Sequence, residues 1–266
     1  APFGHAGEKW LENLFGGFVH ELHSLRVVDK LENYGQGLNL TYAVRDGIVS
    51  HCGEADEQFV EISPMLNDLD NLQFRPVQPS TWEACVVRLS DSIAYLGRDL
   101  EDAVAANLIN KEDLPEKLRR GIGQSNSEII NNLVFDVIDW STKNGKIGFS
   151  PEKFALISEF KEFSREKIYD NPKLKYWRSY SGFVIETLKN YLINLYEKYQ
   201  DNYEKYSNSR TPLDVKFGKY LKSLQERYQA EKCSSELIVR DYIAGMTDAY
   251  ALHCFQNILT MGTRGL

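Results

Sequence analysis

The stretch after Ser80-Thr81 constrains the fold more than any other part of the sequence. Apolar residues recur at Val86, Leu89, Ile93, Leu96 and Leu100, the three-and-four spacing of one helix face. Ser80-Thr81-Trp82-Glu83 reads as a capping box that opens this helix, so a helix is expected over 81–106. Similar start signals recur downstream. Ser150-Pro151-Glu152 and Thr211-Pro212-Leu213-Asp214 each place an N-cap residue before a proline at the first helical position. No stretch alternates apolar and polar residues for long enough to specify a sheet. The expected class is all-α.

With 266 residues the chain can bury a sizeable core, as one large domain or two small ones. Residues 55–80 carry Pro64, Pro76 and Pro79 and read as an irregular connection between a helix at about 40–53 and the 81–106 helix. A connection of that length is more often functional than idle. A second compositional shift falls at 107–125, around Asn107, Asn110 and Gly121-Ile122-Gly123. The expected division is therefore a core body over 1–125 and a helical extension over 126–266 that packs back on it.

Charge and cysteine usage narrow the function classes. A net charge of −7 argues against non-specific nucleic-acid binding, which rests on neutralising phosphates. A nucleotide substrate stays compatible, because a metal and a few cationic groups reverse the field locally. Cys52, Cys85, Cys233 and Cys254 are widely spaced and form no C-x-x-C pair, which points to reduced thiols in a cytoplasmic protein. No apolar run approaches the ~18 residues of a membrane span.

Several side chains have spacings suited to chemistry. His5 and Glu8 stand at i and i+3, on one face of a helix's first turn. A carboxylate there can hold the imidazole in one tautomer for proton transfer, and the same pair also occurs as plain surface residues. Asp91, Tyr95 and Asp99 stand at i, i+4 and i+8 and form one stripe, either a solvated face or a site. Ser50-His51-Cys52-Gly53 reads as a helix end, with His51 complementing the dipole and Gly53 stopping the helix. His23 reads as a semi-exposed helix residue and His253 as structural. Arg45, Arg88 and Arg98 are candidate phosphate contacts, with structural ion pairs as their alternative role.

Five segments together carry a resemblance. They are Pro2-Phe3-Gly4-His5-Ala6-Gly7-Glu8, Phe18-Val19-His20-Glu21-Leu22-His23-Ser24-Leu25-Arg26, Arg45-Asp46-Gly47-Ile48-Val49-Ser50-His51, Arg88-Leu89-Ser90-Asp91-Ser92-Ile93-Ala94-Tyr95-Leu96-Gly97-Arg98-Asp99, and Arg240-Asp241-Tyr242-Ile243-Ala244-Gly245-Met246-Thr247-Asp248. This chain resembles the HD-superfamily deoxynucleoside triphosphate triphosphohydrolases, the dGTPase-like enzymes. The likeness is specific in 1–54, 82–103 and 236–256 and thin between about 110 and 230.

The resemblance implies an HD-domain-like helical core with a helical C-terminal extension. It implies hydrolysis of a dNTP, such as dGTP, to deoxynucleoside and inorganic triphosphate. It also implies a divalent metal, Mn, Mg or Fe, and self-association into a homo-oligomer. In the family a His-Asp pair lies just upstream of the Pro-Phe-Gly-His turn and another histidine lies further upstream. Of the four expected metal ligands only the late aspartate is matched here, by Asp91. The sequence is therefore read as a C-terminal part of such an enzyme, and the chain alone is expected to be inactive. By the same resemblance His5 is the general acid beside the scissile phosphate, partnered by Glu8. His20, with Glu21 and Ser24 in step, is its phosphate-side partner. Tyr95 and Asp99 meet the deoxyribose, Asp99 at the 3′-hydroxyl. At position 23 the family commonly has Gln. The 240–248 run is expected to pack tightly on the core, with Asp248 holding a neighbouring helix. The competing readings are another HD-superfamily phosphoester hydrolase and a non-catalytic helical nucleotide-binding or scaffold module.

Overall fold

A computed structural model describes residues 1–52, 57–75 and 78–260. Gly53, the expected helix stop, and Pro76 of the irregular connection lie outside the described residues. Among the described residues the chain forms helices, with one isolated antiparallel bridge between Phe59 and Gly148 and no strand. The all-α expectation holds. The principal helices are α1 (Gly4–Phe15), α2 (His20–Arg26), α3 (Tyr42–Ser50), α4 (Trp82–Ala105), α5 (Asn126–Asn144), α6 (Pro151–Ser164), α7 (Lys173–Tyr199), α8 (Pro212–Ser223), α9 (Ser235–Ala244) and α10 (Asp248–Thr260).

The chain divides into two compact units, residues 1–39 with 176 onward, and residues 40–175. The compositional shift at 107–125 lies inside the second of these.

In the first unit Leu11 of α1 packs into a core with Ile185, Leu188 and Leu192 of α7, Phe217 of α8, and Val239 and Ile243 of α9. Each such fully buried side chain contributes about 1.5–3 kcal/mol relative to exposure. The helix-to-helix approach is close where Gly182 faces Trp10, since a Cβ at 182 would lie 2.1 Å from the indole ring. The break between α1 and α2 is Gly16-Gly17, both at positive φ, which ends α1 with a left-handed cap. Between α2 and residue 35 the chain widens into a π-turn, and no long helix forms.

The second unit is built on α4. Cys85, Leu89, Ile93, Leu96 and Leu100 are buried against Ile129 and Leu133 of α5 and Leu156, Ile157 and Phe160 of α6. Gly97 allows the α4–α5 crossing, because a Cβ there would meet the backbone of Asn126 at 2.8 Å. Val86 departs from the expected stripe and is 48% exposed. The buried arc is centred on Cys85, Leu89 and Leu96, about a quarter turn from Val86 on a 3.6-residue helix. The cap of α4 also differs from expectation. Thr81, not Ser80, is the N-cap, its Oγ1 accepting from Ala84 N at 3.2 Å. Ser80 N donates instead to Asp46 Oδ2 at 2.8 Å. Ser150 caps α6 as expected, accepting from Lys153 N at 3.3 Å. Thr211 precedes Pro212 at the start of α8 without a side-chain cap bond.

Candidate active site

In the first unit, α1 begins at an unusual turn. Phe3 and Gly4 both have positive φ, 68° and 55°. Gly7 follows where a Cβ would lie 1.7 Å from the Pro2 carbonyl oxygen, so only glycine fits. This turn places His5 and Glu8 one helical turn apart, with His5 Nδ1 3.7 Å from Glu8 Oε2. The tighter partner of Glu8 is His20, at the first position of α2. His20 Nδ1 lies 2.5 Å from Glu8 Oε1. The backbone N–H of His20 reaches the same oxygen at 3.4 Å. An ionised carboxylate only accepts, so Nδ1 carries the shared hydrogen. Buried Glu21 adds its Oε2 at 3.3 Å from the same nitrogen.

One carboxylate is thus shared by two histidines. Its partial burial pushes the Glu8 carboxyl up, but the bonds from His20 and His5 outweigh this and hold it well below the usual carboxylate range. Glu8 is anionic at neutral pH, and both imidazoles face its charge. The His5 side chain is 80% exposed.

Glu8, His20 and Glu21 bring three potential metal-ligand atoms within 4.8 Å of one another. The 2.5 Å approach of Nδ1 to Oε1 is shorter than the roughly 3 Å between neighbouring ligands that metal–ligand bonds of about 2.1 Å produce. As arranged, Nδ1 and Oε1 share a hydrogen.

His23 corrects the expectation of a semi-exposed residue, being only 9% exposed. It lies beside the Phe18 ring, centroids 5.1 Å apart, with Nδ1 3.7 Å from Asp241 Oδ1. Burial, then the charges of Arg240 and Arg26, push its pKa down to about 3. It is a neutral core residue.

In the second unit, Asp91, Tyr95 and Asp99 follow one another along α4, about a quarter turn from its buried arc. Asp91 and Asp99 are half-buried and Tyr95 is exposed. The Tyr169 hydroxyl donates to Asp99 Oδ2. Burial and this bond to a carboxylate push the Tyr169 hydroxyl well above its ordinary range, so it stays a donor. Nothing local in the sequence marks Tyr169, which lies 70 positions from its partner.

The start of α4 is fixed by a second unanticipated residue, Asp46 of α3. Its fully buried carboxylate accepts from Ser80 N and Thr81 Oγ1, both at 2.8 Å, and lies 3.4 Å from Asn67 Nδ2 and Ser50 Oγ. The three arginines have protein partners. Arg88 is buried and its Nε donates to Ser50 O at 2.8 Å, Arg45 pairs with Asp70 at 2.7 Å, and Arg98 pairs with Asp102 at 3.1 Å. His51 stands at the end of α3 with Nδ1 2.7 Å from Ile48 O, and bonding to Cys52 raises its pKa. Asp248 does hold a neighbouring helix: its Oδ1 accepts from Phe3 N at 2.7 Å.

Residues 218–257 match the family described as "Phosphohydrolase-associated domain". The chain is 34% identical over 258 residues to a "deoxyguanosinetriphosphate triphosphohydrolase-like protein" of Caldanaerobacter subterraneus subsp. tengcongensis, covering 97% of the chain and 63% of the relative. A protein of the same name from Clostridium tetani is 32% identical over 265 residues, with 96% and 64% covered. Another from Thiobacillus denitrificans is 31% identical over 292 residues, with 94% and 69% covered. The chain therefore spans a little under two thirds of the length of the first two relatives.

Proposed function

The chain belongs to the deoxyguanosinetriphosphate triphosphohydrolase-like family of HD-type phosphohydrolases, and from that premise we propose that the full protein hydrolyses a dNTP to deoxynucleoside and inorganic triphosphate. The observation that best supports this is the Glu8 carboxylate shared between His5 and His20. Water adds to the α-phosphorus and the bond to the 5′-oxygen breaks. That oxygen leaves as an alcohol if a proton reaches it. Histidine, with an ordinary pKa of ~6.5, suits this transfer at neutral pH. His5, exposed and facing the Glu8 charge, is the donor in this reading. His20 holds Glu8 in place from the other side and contacts the phosphates.

Asp91 offers the oxygen ligand that Mn, Mg or Fe prefers. A bound divalent ion in such enzymes polarises a phosphoryl oxygen and acidifies water. One carboxylate does not define a coordination geometry. On α4, Tyr95 and Asp99 are assigned to the deoxyribose, with Tyr169 orienting Asp99 through its hydroxyl.

No helix among the described residues is long and apolar enough to cross a membrane. The four cysteines are free thiols. The free thiols support a cytoplasmic enzyme, and the family likeness supports a homo-oligomer. The test is full-length protein incubated with each dNTP and Mn²⁺, with products resolved by anion-exchange chromatography. Inorganic triphosphate and deoxynucleoside in equal amounts are expected. Release of orthophosphate or pyrophosphate, or no turnover, refutes the assignment.

A further inference from the structure

We infer that the 218–257 segment is the device that positions the catalytic helices, with Asp248 as the positioning residue for His5 and Glu8; this rests on the catalytic roles proposed above. The segment supplies four polar groups to α1, α2 and the turn between them. Asp248 Oδ1 accepts from Phe3 N at 2.7 Å. Asp241 Oδ2 and Glu231 Oε2 accept from Arg26 Nε and Nη1, each at 2.8 Å. Arg240 Nη1 donates to Gly17 O at 3.2 Å, at the break between the two helices. Both helices that meet in the Glu8–His20 bond are therefore tied to one stretch of chain more than 200 residues away in sequence.

The Asp248 bond has particular leverage. Phe3 is the N-cap of α1, and its carbonyl takes the helix's first hydrogen bond from Gly7 N at 3.3 Å. Its φ of 68° lies in the left-handed region, which a phenylalanine avoids unless its surroundings impose it. Two contacts impose it here: the ring is buried edge-on to Trp177 at 5.7 Å, and the N–H is held by Asp248. A rotation at Phe3 turns the first turn of α1, and His5 and Glu8 turn with it. Asp248 is itself exposed, so removing its carboxylate opens no cavity in the core.

The experiment compares full-length wild type, Asp248→Ala and Asp248→Asn. Asparagine keeps an oxygen acceptor for Phe3 N; alanine does not. For dGTP hydrolysis with Mn²⁺, Asp248→Ala is expected to lower kcat about 10–100-fold, the effect of a small misplacement of a catalytic group. KM should stay within about threefold, because a transition-state contact and not substrate affinity is lost. Asp248→Asn should restore kcat to near wild type. Hydrogen exchange of the α1 amides, read by mass spectrometry, should accelerate in Asp248→Ala and not in Asp248→Asn. The inference is overturned if α1 exchange is unchanged in Asp248→Ala, or if kcat is unaffected by it, or if both variants lose kcat equally. If wild type releases no triphosphate, the proposed function falls, and the exchange comparison still decides whether Asp248 anchors α1.

Discussion

His20 Nδ1 and Glu8 Oε1 stand 2.5 Å apart although 12 positions separate the two residues in sequence. The Gly16-Gly17 break folds α2 back so that its first residue meets the first turn of α1. The consequence is a carboxylate with two imidazole neighbours and an unequal grip on them, tight on His20 and loose on exposed His5. An exposed histidine 3.7 Å from the carboxylate is suited to give up a proton. A tightly held one is suited to keep the carboxylate oriented.

His5→Ala should therefore lower kcat by about 10²–10⁴-fold, the usual contribution of one general acid, with a smaller change in substrate affinity. Glu8→Gln keeps an oxygen for His20 but removes the charge that both imidazoles face, and should lower kcat by a similar order. Steady-state kinetics of the full-length variants checks both. A His5→Ala enzyme within about threefold of wild-type kcat would move the proton donor to His20.

Much of this was legible in the sequence, and the reasons for the rest are physical. The α4 period from Leu89 to Leu100 specified a helix because each of those residues packs inward. Val86 misled because a helical stripe wide enough to include it exceeds the arc that α5 and α6 cover. Ser80 looked like the cap because serine caps helices well, yet its backbone N–H is taken by Asp46 and the cap moves to Thr81. The His5–Glu8 spacing was visible because it is local. The stronger Glu8–His20 bond and the Tyr169–Asp99 bond were not, because tertiary folding alone brings those pairs together. The burial of His23 was hidden for the same reason: Asp241 and Arg240 reach it from α9.

Asp46 is expected to be the most sensitive residue at the start of α4. Its buried carboxylate takes hydrogen bonds from Ser80 N and Thr81 Oγ1. Asp46→Ala leaves those donors unpaired and should destabilise the protein by on the order of 2–4 kcal/mol, the range for breaking a buried polar network. Asp46→Asn retains an acceptor and should cost less than half as much. Urea denaturation of both variants is the measurement, and equal losses would show that charge, not acceptor geometry, matters at this position.

His23 should make stability depend on pH. Its folded pKa is pushed down to about 3 by burial and by Arg240 and Arg26. In the unfolded chain it titrates near ~6.5. Between those values the unfolded state binds a proton that the folded state refuses, so stability falls as pH falls through this window. The slope from this one group approaches about 1.4 kcal/mol per pH unit at most. His23→Gln removes the titrating group. The loss of Tm between pH 7.5 and pH 5 should be smaller in that variant than in wild type. Parallel Tm curves would mean that other groups govern acid sensitivity.

The α4 stripe should read the sugar, and its three residues should fail in different ways. Asp99, oriented by the Tyr169 hydroxyl, is assigned to accept the 3′-hydroxyl proton. An analogue lacking that hydroxyl leaves a carboxylate lone pair unmet, at a cost on the order of 1–3 kcal/mol. Asp99→Ala should abolish that preference while lowering kcat/KM for dGTP. Tyr169→Phe should weaken it part-way, because the carboxylate remains but loses the donor that fixes its rotamer. Tyr95 is assigned to contact C2′, so Tyr95→Ala should admit GTP more readily without changing the 3′ preference. The measurement is kcat/KM for dGTP, GTP and 3′-deoxy-dGTP across wild type and the three variants. Ratios between nucleotides are independent of the fraction of active enzyme, so simple destabilisation leaves them unchanged. If every variant loses activity on all three nucleotides in equal proportion, the stripe supports α4 and the Asp91 position and does not read the sugar, and the dNTP assignment loses its local support.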